Sequence, residues 1–141
     1  MVEPVTLSVD ECWRRVGDNV VGRLGFDVGR GPRIHPMNYA VDGRTVVLRT
    51  SKDSELALFD ELFAAGSRVA FEVDQIDHRR HHAWSVLMDG HLAPLAADRG
   101  TPPAAPRPWA EGKRDVLIRF TPVTVRGRTL GDVGTRPLSA L

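Results

Sequence analysis

The stretch Arg33-Ile34-His35-Pro36-Met37-Asn38-Tyr39-Ala40-Val41-Asp42-Gly43-Arg44-Thr45-Val46-Val47-Leu48-Arg49-Thr50 holds two strand-like runs with an Asp-Gly pair between them. Such a pair between apolar runs marks a hairpin, because both central residues must accept positive φ. The first run, 33–41, alternates imperfectly and carries Pro36. A proline has no N–H to give to a ladder, so this run is expected at a sheet edge or at a bulge. The second run, 44–50, contains Val46, Val47 and Leu48. An antiparallel pair at this point makes the chain mainly β.

The flanking sequence extends the pattern in both directions. Upstream, 21–28 reads as another strand, bounded by Gly29 and by Gly31-Pro32. Before it, Ser8 and Glu11 form a capping box, and Val9, Cys12, Trp13 and Val16 share one helical face. A short N-terminal helix is expected there, ended by Gly17 and Asp18-Asn19. Downstream the period changes. Leu56, Phe59, Leu62 and Phe63 predict one inserted amphipathic helix, with Gly66 as its C′ residue. Strands follow at 67–76, with Val69, Phe71 and Val73 on one face, and at 83–92. The segment 93–112 is rich in Pro and Ala and reads as a long loop, and 115–125 is the last strand. Six strands in short antiparallel steps with an inserted helix point to a small barrel rather than a βαβ stack. Closure removes unpaired strand edges. The chain reads as one domain over 1–141, with its core at about 8–130 and a tail at about 131–141.

Composition narrows the function classes. The 141 residues are 42% hydrophobic and 26% charged, and 19 Lys+Arg stand against 18 Asp+Glu, a net charge of +1. This near balance, with no interleaved aromatic and basic stripe, argues against a nucleic-acid partner. The single Cys12 excludes an internal disulfide and a cysteine-based zinc site. No signal peptide is visible, and no apolar run approaches the roughly 20 residues of a membrane span. A cytoplasmic protein without a membrane partner is expected.

Four places carry chemistry-bearing residues. In Arg49-Thr50-Ser51-Lys52-Asp53-Ser54-Glu55, a strand delivers cations and hydroxyls to a helix N-terminus, a plausible phosphate cradle. The same residues also read as a plain helix cap with solvated side chains. In Pro36-Met37-Asn38-Tyr39, backbone groups freed at a kink can bond the edge of a planar ligand, or the strand is simply kinked. The run Asp77-His78-Arg79-Arg80-His81-His82 reads as a solvated basic turn, since its histidines lack usual metal-ligand spacing. Trp84-Ser85 suits core packing as well as a site, whereas Trp109, in a Pro-rich loop, suits a cover over a planar ligand or a partner subunit.

Taken in order, Cys12-Trp13, Gly22-Arg-Leu-Gly-Phe26, Pro36-Met-Asn-Tyr39, Asp42-Gly43, Val47-Leu-Arg-Thr50, Val69-Ala-Phe-Glu-Val-Asp74, Trp84-Ser-Val86 and Pro108-Trp109 resemble the pyridoxamine 5′-phosphate oxidase-like proteins, the flavin-binding split barrels. The resemblance implies a six-stranded split barrel, paired as a homodimer with two flavin mononucleotide (FMN) sites at the interface. It implies that Arg49, Thr50, Ser51, Lys52, Ser54 and Glu55 surround the phosphate and ribityl chain. Pro36, Met37, Asn38 and Tyr39 would then line the ring. Trp84, Ser85 and Trp109 would approach it, the last as a shield. Members are mostly flavin-dependent oxidases or reductases of small molecules, and some take a deazaflavin coenzyme or haem instead.

One position departs from the family pattern. Glu55 stands where a phosphate-binding lysine is expected. Two like charges about 4 Å apart repel by roughly 4 kcal/mol at an effective dielectric near 20, close to a thousandfold in affinity. Either Glu55 turns outward and Lys52 supplies the charge, or the site no longer takes a phosphate. An FMN-dependent oxidoreductase is thus the leading expectation. The alternative is a binding or regulatory barrel for haem, a deazaflavin or another planar ligand, with His35 as an axial haem ligand.

Overall fold

The computed structural model describes residues 3–50, 66–95 and 116–131. The first helix forms where the capping box predicts it. In α1 (Val9–Gly17), the Ser8 hydroxyl accepts from the Glu11 N–H at 3.2 Å. Asp10 and Glu11 occupy its first turn, and Arg14 and Arg15 its last, which complements the helix dipole. The helix buries Cys12, Trp13 and Val16. Arg15 is buried too; its Nε donates to Glu11 at 3.0 Å, and its guanidinium lies 5.7 Å from the Trp84 ring centre.

The described residues form seven strands: β1 (Val5–Leu7), β2 (Val21–Asp27), β3 (Pro32–Asp42), β4 (Thr45–Thr50), β5 (Val69–Asp77), β6 (His82–Pro94) and β7 (Val116–Leu130). Their order is β1-β7-β4-β3-β2-β5-β6, and an additional β6–β7 pairing closes the ring. The result is a closed six-stranded antiparallel barrel with β1 added outside it. Inward positions carry the core, including Leu24, Tyr39, Leu48, Phe71, Val86, Met88, Ile118 and Phe120. Each large apolar side chain so buried contributes about 1.5–3 kcal/mol. The Tyr39 and Phe71 rings meet edge to face at 5.2 Å.

Some local expectations are corrected. The central pair of the β3–β4 hairpin is Gly43-Arg44, because Asp42 already pairs with Thr45. Only Gly43 has positive φ, at 60°, the pattern of a type II′ turn, so one left-handed residue suffices. β1 was not expected; three residues carry too little period to show, and it forms by pairing with Gly127–Thr129 of β7. β7 also runs on to Leu130 rather than ending near Val125, because β6 offers it partners as far as Ala83. The register of that ladder shifts between Asp89 and Gly90. At Gly90 the backbones come so close that a Cβ would sit 2.7 Å from the Pro122 Cα. The inserted helix lies outside the described residues.

Candidate functional site at the flank of the third strand

The two halves of β3 have different neighbours. Pro32 to Asn38 pairs with β2, and Tyr39 to Asp42 pairs with β4. The β3–β4 ladder stops at Tyr39↔Leu48, while Arg49 and Thr50 continue along β7 opposite Leu117 and Val116. The two strands therefore part beyond Tyr39 and Leu48. Pro36 falls in the half with a ladder on one side only, where a missing N–H costs no sheet bond. Its edge character is local, since β3 as a whole lies inside the sheet.

Alternation sorts the expected site residues onto two faces. Asn38 pairs with Val21 and Pro36 with Arg23, on the outer face. Arg49 follows inward Leu48 and so shares that outer face across the parting. It is half-buried, and its Nε is buried with no hydrogen-bond partner among the described residues. The Asn38 side-chain amide donates to the Val20 carbonyl at 3.4 Å, which orients it beside the same flank.

Met37, Tyr39 and Thr50 face inward. Met37 is half-buried against the core, and Thr50 is buried. The Tyr39 side chain is 2% exposed, and its hydroxyl donates to the Val16 carbonyl at 2.6 Å. Burial, aided by the Asp18 carboxylate, pushes the phenol well above its ordinary range, so it stays protonated. Its side chain is a core anchor, and only its backbone borders the flank. Trp84 is buried beneath Arg15, and its indole N–H donates to Gln75 at 3.3 Å. Ser85 lies on the outer face between Asp74 and Arg128. From β3 to β6 the path crosses β2 and β5, roughly 14 Å at about 4.8 Å per strand. Within one protomer, Trp84 and Ser85 are thus not brought to Asn38 and Arg49. His35 lies on the opposite face of β3 from Asn38, its ring 5.3 Å from that of Phe26. Ser51, Lys52, Ser54, Glu55 and Trp109 lie outside the described residues.

One outer-face cluster escaped the sequence reading. Arg23 donates through one nitrogen to Glu72 at 2.9 Å and to Asp74 at 3.0 Å. Burial raises the Glu72 carboxyl, Asp74 adds to the rise, and Arg23 opposes it. The alternation of Phe71 and Val73 with Glu72 and Asp74 was the available signal, since it places both acids on one face. Among the described residues, no three His, Cys, Asp or Glu side chains converge as a metal site, and no helix is long and apolar enough to cross a membrane.

A closed six-stranded antiparallel barrel whose wall parts between two neighbouring strands is a split barrel. The chain belongs to the pyridoxamine 5′-phosphate oxidase family, whose model matches residues 8–129. It is 33% identical over 133 residues to the uncharacterized protein Rv0080 of Mycobacterium tuberculosis, covering 89% of this chain and 84% of that one. Its fold is similar to that of the FAD-binding protein from Mycobacterium smegmatis (TM-score 0.67, 24% identity, 90% of this chain and 98% of that chain). It is also similar to that of the FAD- and haem-binding protein from the same organism (TM-score 0.62, 13% identity, 90% and 73%).

Proposed function

We propose that this chain is a flavin-dependent oxidoreductase that binds FMN beside the parted strands, as a homodimer acting on a small molecule in the cytoplasm. The observation that carries the reading is the buried Arg49 Nε, without a partner among the described residues, on the same face as Asn38 where the β3–β4 ladder ends. A buried N–H without an acceptor costs about 1–3 kcal/mol, and an acidic or carbonyl-bearing ligand would remove that cost. The residues present therefore fit a flavin phosphate or ribityl group.

In this reading Arg49, Ser51, Lys52 and Ser54 hold the phosphate and ribityl chain, and Thr50, whose side chain is turned inward, contributes only its backbone. The backbone of Pro36 to Tyr39 runs along the ring, and Asn38 bonds its edge. Ser85, with the backbone of Trp84, borders the cleft from the partner subunit, since two strands, β2 and β5, separate it from Asn38 within one protomer, and Trp109 shields it. The bound flavin supplies hydride and electron transfer, while the chain positions the ring and excludes water.

The experiment is a visible absorbance spectrum of the purified protein, followed by titration with FMN and FAD. Saturable FMN binding below about 1 mM is expected, roughly tenfold above the affinity left after a Glu55 charge penalty. No binding below that concentration removes the reading. The Glu55→Lys variant should bind FMN at least about tenfold more tightly if Glu55 faces the phosphate.

A deazaflavin coenzyme, with the same flat ring, competes for the same flank in this reading and is tested in the same titration. The haem alternative has the M. smegmatis FAD- and haem-binding protein as its support. His35 faces away from Asn38 and Arg49, so it is not an axial ligand for haem at this flank. A Soret shift on haem addition, with no FMN binding, would favour haem over FMN.

A further inference from the structure

Arg23 of β2 stands in an outer-face row that runs across four strands. It pairs with Pro36 of β3 on one side and with Glu72 of β5 on the other, and Glu72 in turn pairs with Leu87 of β6. From β3 to β6 the row reads apolar, basic, acidic, apolar. Pro36 and Arg23 are exposed, and Leu87 is 45% exposed. Turned end for end, this row is its own complement. The neighbouring row sets Gly25 of β2 beside Ala70 of β5. A Cβ at Gly25 would meet nothing nearer than 3.8 Å, and its φ is not positive. The single barrel therefore gives no reason for a glycine there, although glycine weakens a strand interior. Such a glycine marks a place where a ligand or another backbone comes close.

We propose that a second copy of this chain docks on the β2–β5 seam, about a two-fold axis parallel to the strands, and that the pairing forms a ligand cleft on each side. This rests on the homodimeric reading above and gives it a geometry. Self-complementarity is what an isologous contact needs, and a different protein would not require it. An axis along the strands sets Arg23 against the partner's Glu72 and Gly25 against the partner's Ala70. An axis across the strands sets Arg23 against the partner's Arg23, so charge selects the first. Ring closure then shapes the flanks. β3 and β6 lie three steps apart in a ring of six, so the wall turns through about half a circle between them. The two barrels touch at the seam and diverge on both sides. Each opening has β3 of one copy on one wall and β6 of the other copy facing it. Asn38 and Ser85 lie two residues beyond Pro36 and Leu87 in the same direction along the sheet. The axis therefore sets Pro36 and Asn38 opposite the partner's Leu87 and the partner's Ser85. A flat ligand fits between such walls, with the partner's Leu87 as its apolar cover.

The test is sedimentation equilibrium of the full chain and its variants, with FMN titration of the same samples. The parent should be a dimer at micromolar concentration. Arg23→Glu alone and Glu72→Arg alone each set like charges across the seam twice. Each should raise the dimer dissociation constant at least about 100-fold. An equimolar mixture of the two should dimerise again, because each acid then meets an arginine of the other variant. An ion pair acting only within one chain gives no such recovery. Gly25→Gln fills the seam without touching a charge and should also give monomers, with the melting temperature reporting an intact barrel. Leu87→Asp, on the cleft wall, should keep the dimer and weaken FMN binding at least about tenfold. A monomeric parent, Gly25→Gln chains that still dimerise, or no recovery on mixing overturns the proposal. Unchanged FMN affinity in Leu87→Asp overturns the cleft. A seam dimer that binds no FMN removes the flavin reading and leaves the interface standing. FMN binding by a dimer indifferent to these variants does the reverse.

Discussion

The Tyr39 hydroxyl donates to the Val16 carbonyl at 2.6 Å, tying the third strand to the last turn of the helix. The bond satisfies a carbonyl near the helix C-terminus. It also commits the chain's only tyrosine to the interior, directly next to Asn38 on the outer face. Tyr39→Phe should therefore destabilise by about 0.5–1.5 kcal/mol, the net worth of one hydrogen bond, because the Asn19 N–H still reaches the Val16 carbonyl at 3.3 Å. FMN affinity should change less than about threefold. Urea unfolding and flavin titration check the two halves; a large loss of affinity at unchanged stability would place the phenol in the site.

Arg49 offers the complementary test. Its Nε has no hydrogen-bond partner among the described residues, so removing the side chain gives up few internal bonds. Arg49→Ala should leave the unfolding midpoint within about 0.5 kcal/mol of the parent. A charge-assisted bond to the ligand is worth about 1.5–3 kcal/mol, so FMN should bind roughly 10- to 150-fold more weakly. Arg49→Lys should recover only part of this, because an ammonium cannot reproduce the guanidinium fork. Equal FMN affinities across the three proteins would show that Arg49 does not bind the phosphate.

The Arg23–Glu72–Asp74 cluster makes a prediction about pH. Burial and Asp74 raise the Glu72 carboxyl above its ordinary value, so the folded chain holds this proton more tightly than the unfolded chain. Linkage then sets the sign. The stability associated with the proton is present below the ordinary carboxyl value and is lost as pH rises through the folded value. Glu72→Gln should abolish that decline, leaving the variant at least as stable as the parent at pH 7 and closer to it near pH 4. Urea midpoints across this range measure the difference; a variant less stable at pH 7 would show that the Arg23 ion pair outweighs the burial of the charge.

Gly90 sits where β6 shifts register against β7, and a Cβ there would overlap the Thr121 carbonyl oxygen and lie 2.7 Å from the Pro122 Cα. Both are backbone atoms, so no side-chain movement relieves the clash. Gly90→Ala should cost more than about 2 kcal/mol, against the few tenths usual for a surface change. Thermal unfolding reads this directly. Gly17, where a Cβ would meet nothing within 4 Å, provides the control.

Much of this architecture was written locally. Ser8 and Glu11 supply the helix cap with their own atoms, so the start of α1 needed no tertiary knowledge. Val69, Phe71 and Val73 marked β5, because a strand with one buried face must repeat every two residues, while β2, β3, β4 and β6 showed as apolar runs bounded by turn residues. The ordered motifs, from Cys12-Trp13 to Pro108-Trp109, pointed to the family that the comparison then showed over residues 8–129. Other features depend on the partner strand. Three residues become β1 only because Gly127–Thr129 offers them a ladder, and β7 reaches Leu130 only because β6 accompanies it. Alternation likewise splits Pro36 to Tyr39 into two faces without saying which is interior. Closure of the barrel decided that, turning Tyr39 onto Phe71 and Val16 while leaving Asn38 outside with Arg49. The parting of β3 and β4 is also tertiary, since it arises where Arg49 and Thr50 follow β7, and a backbone can pair with β7 without any mark on its own residues.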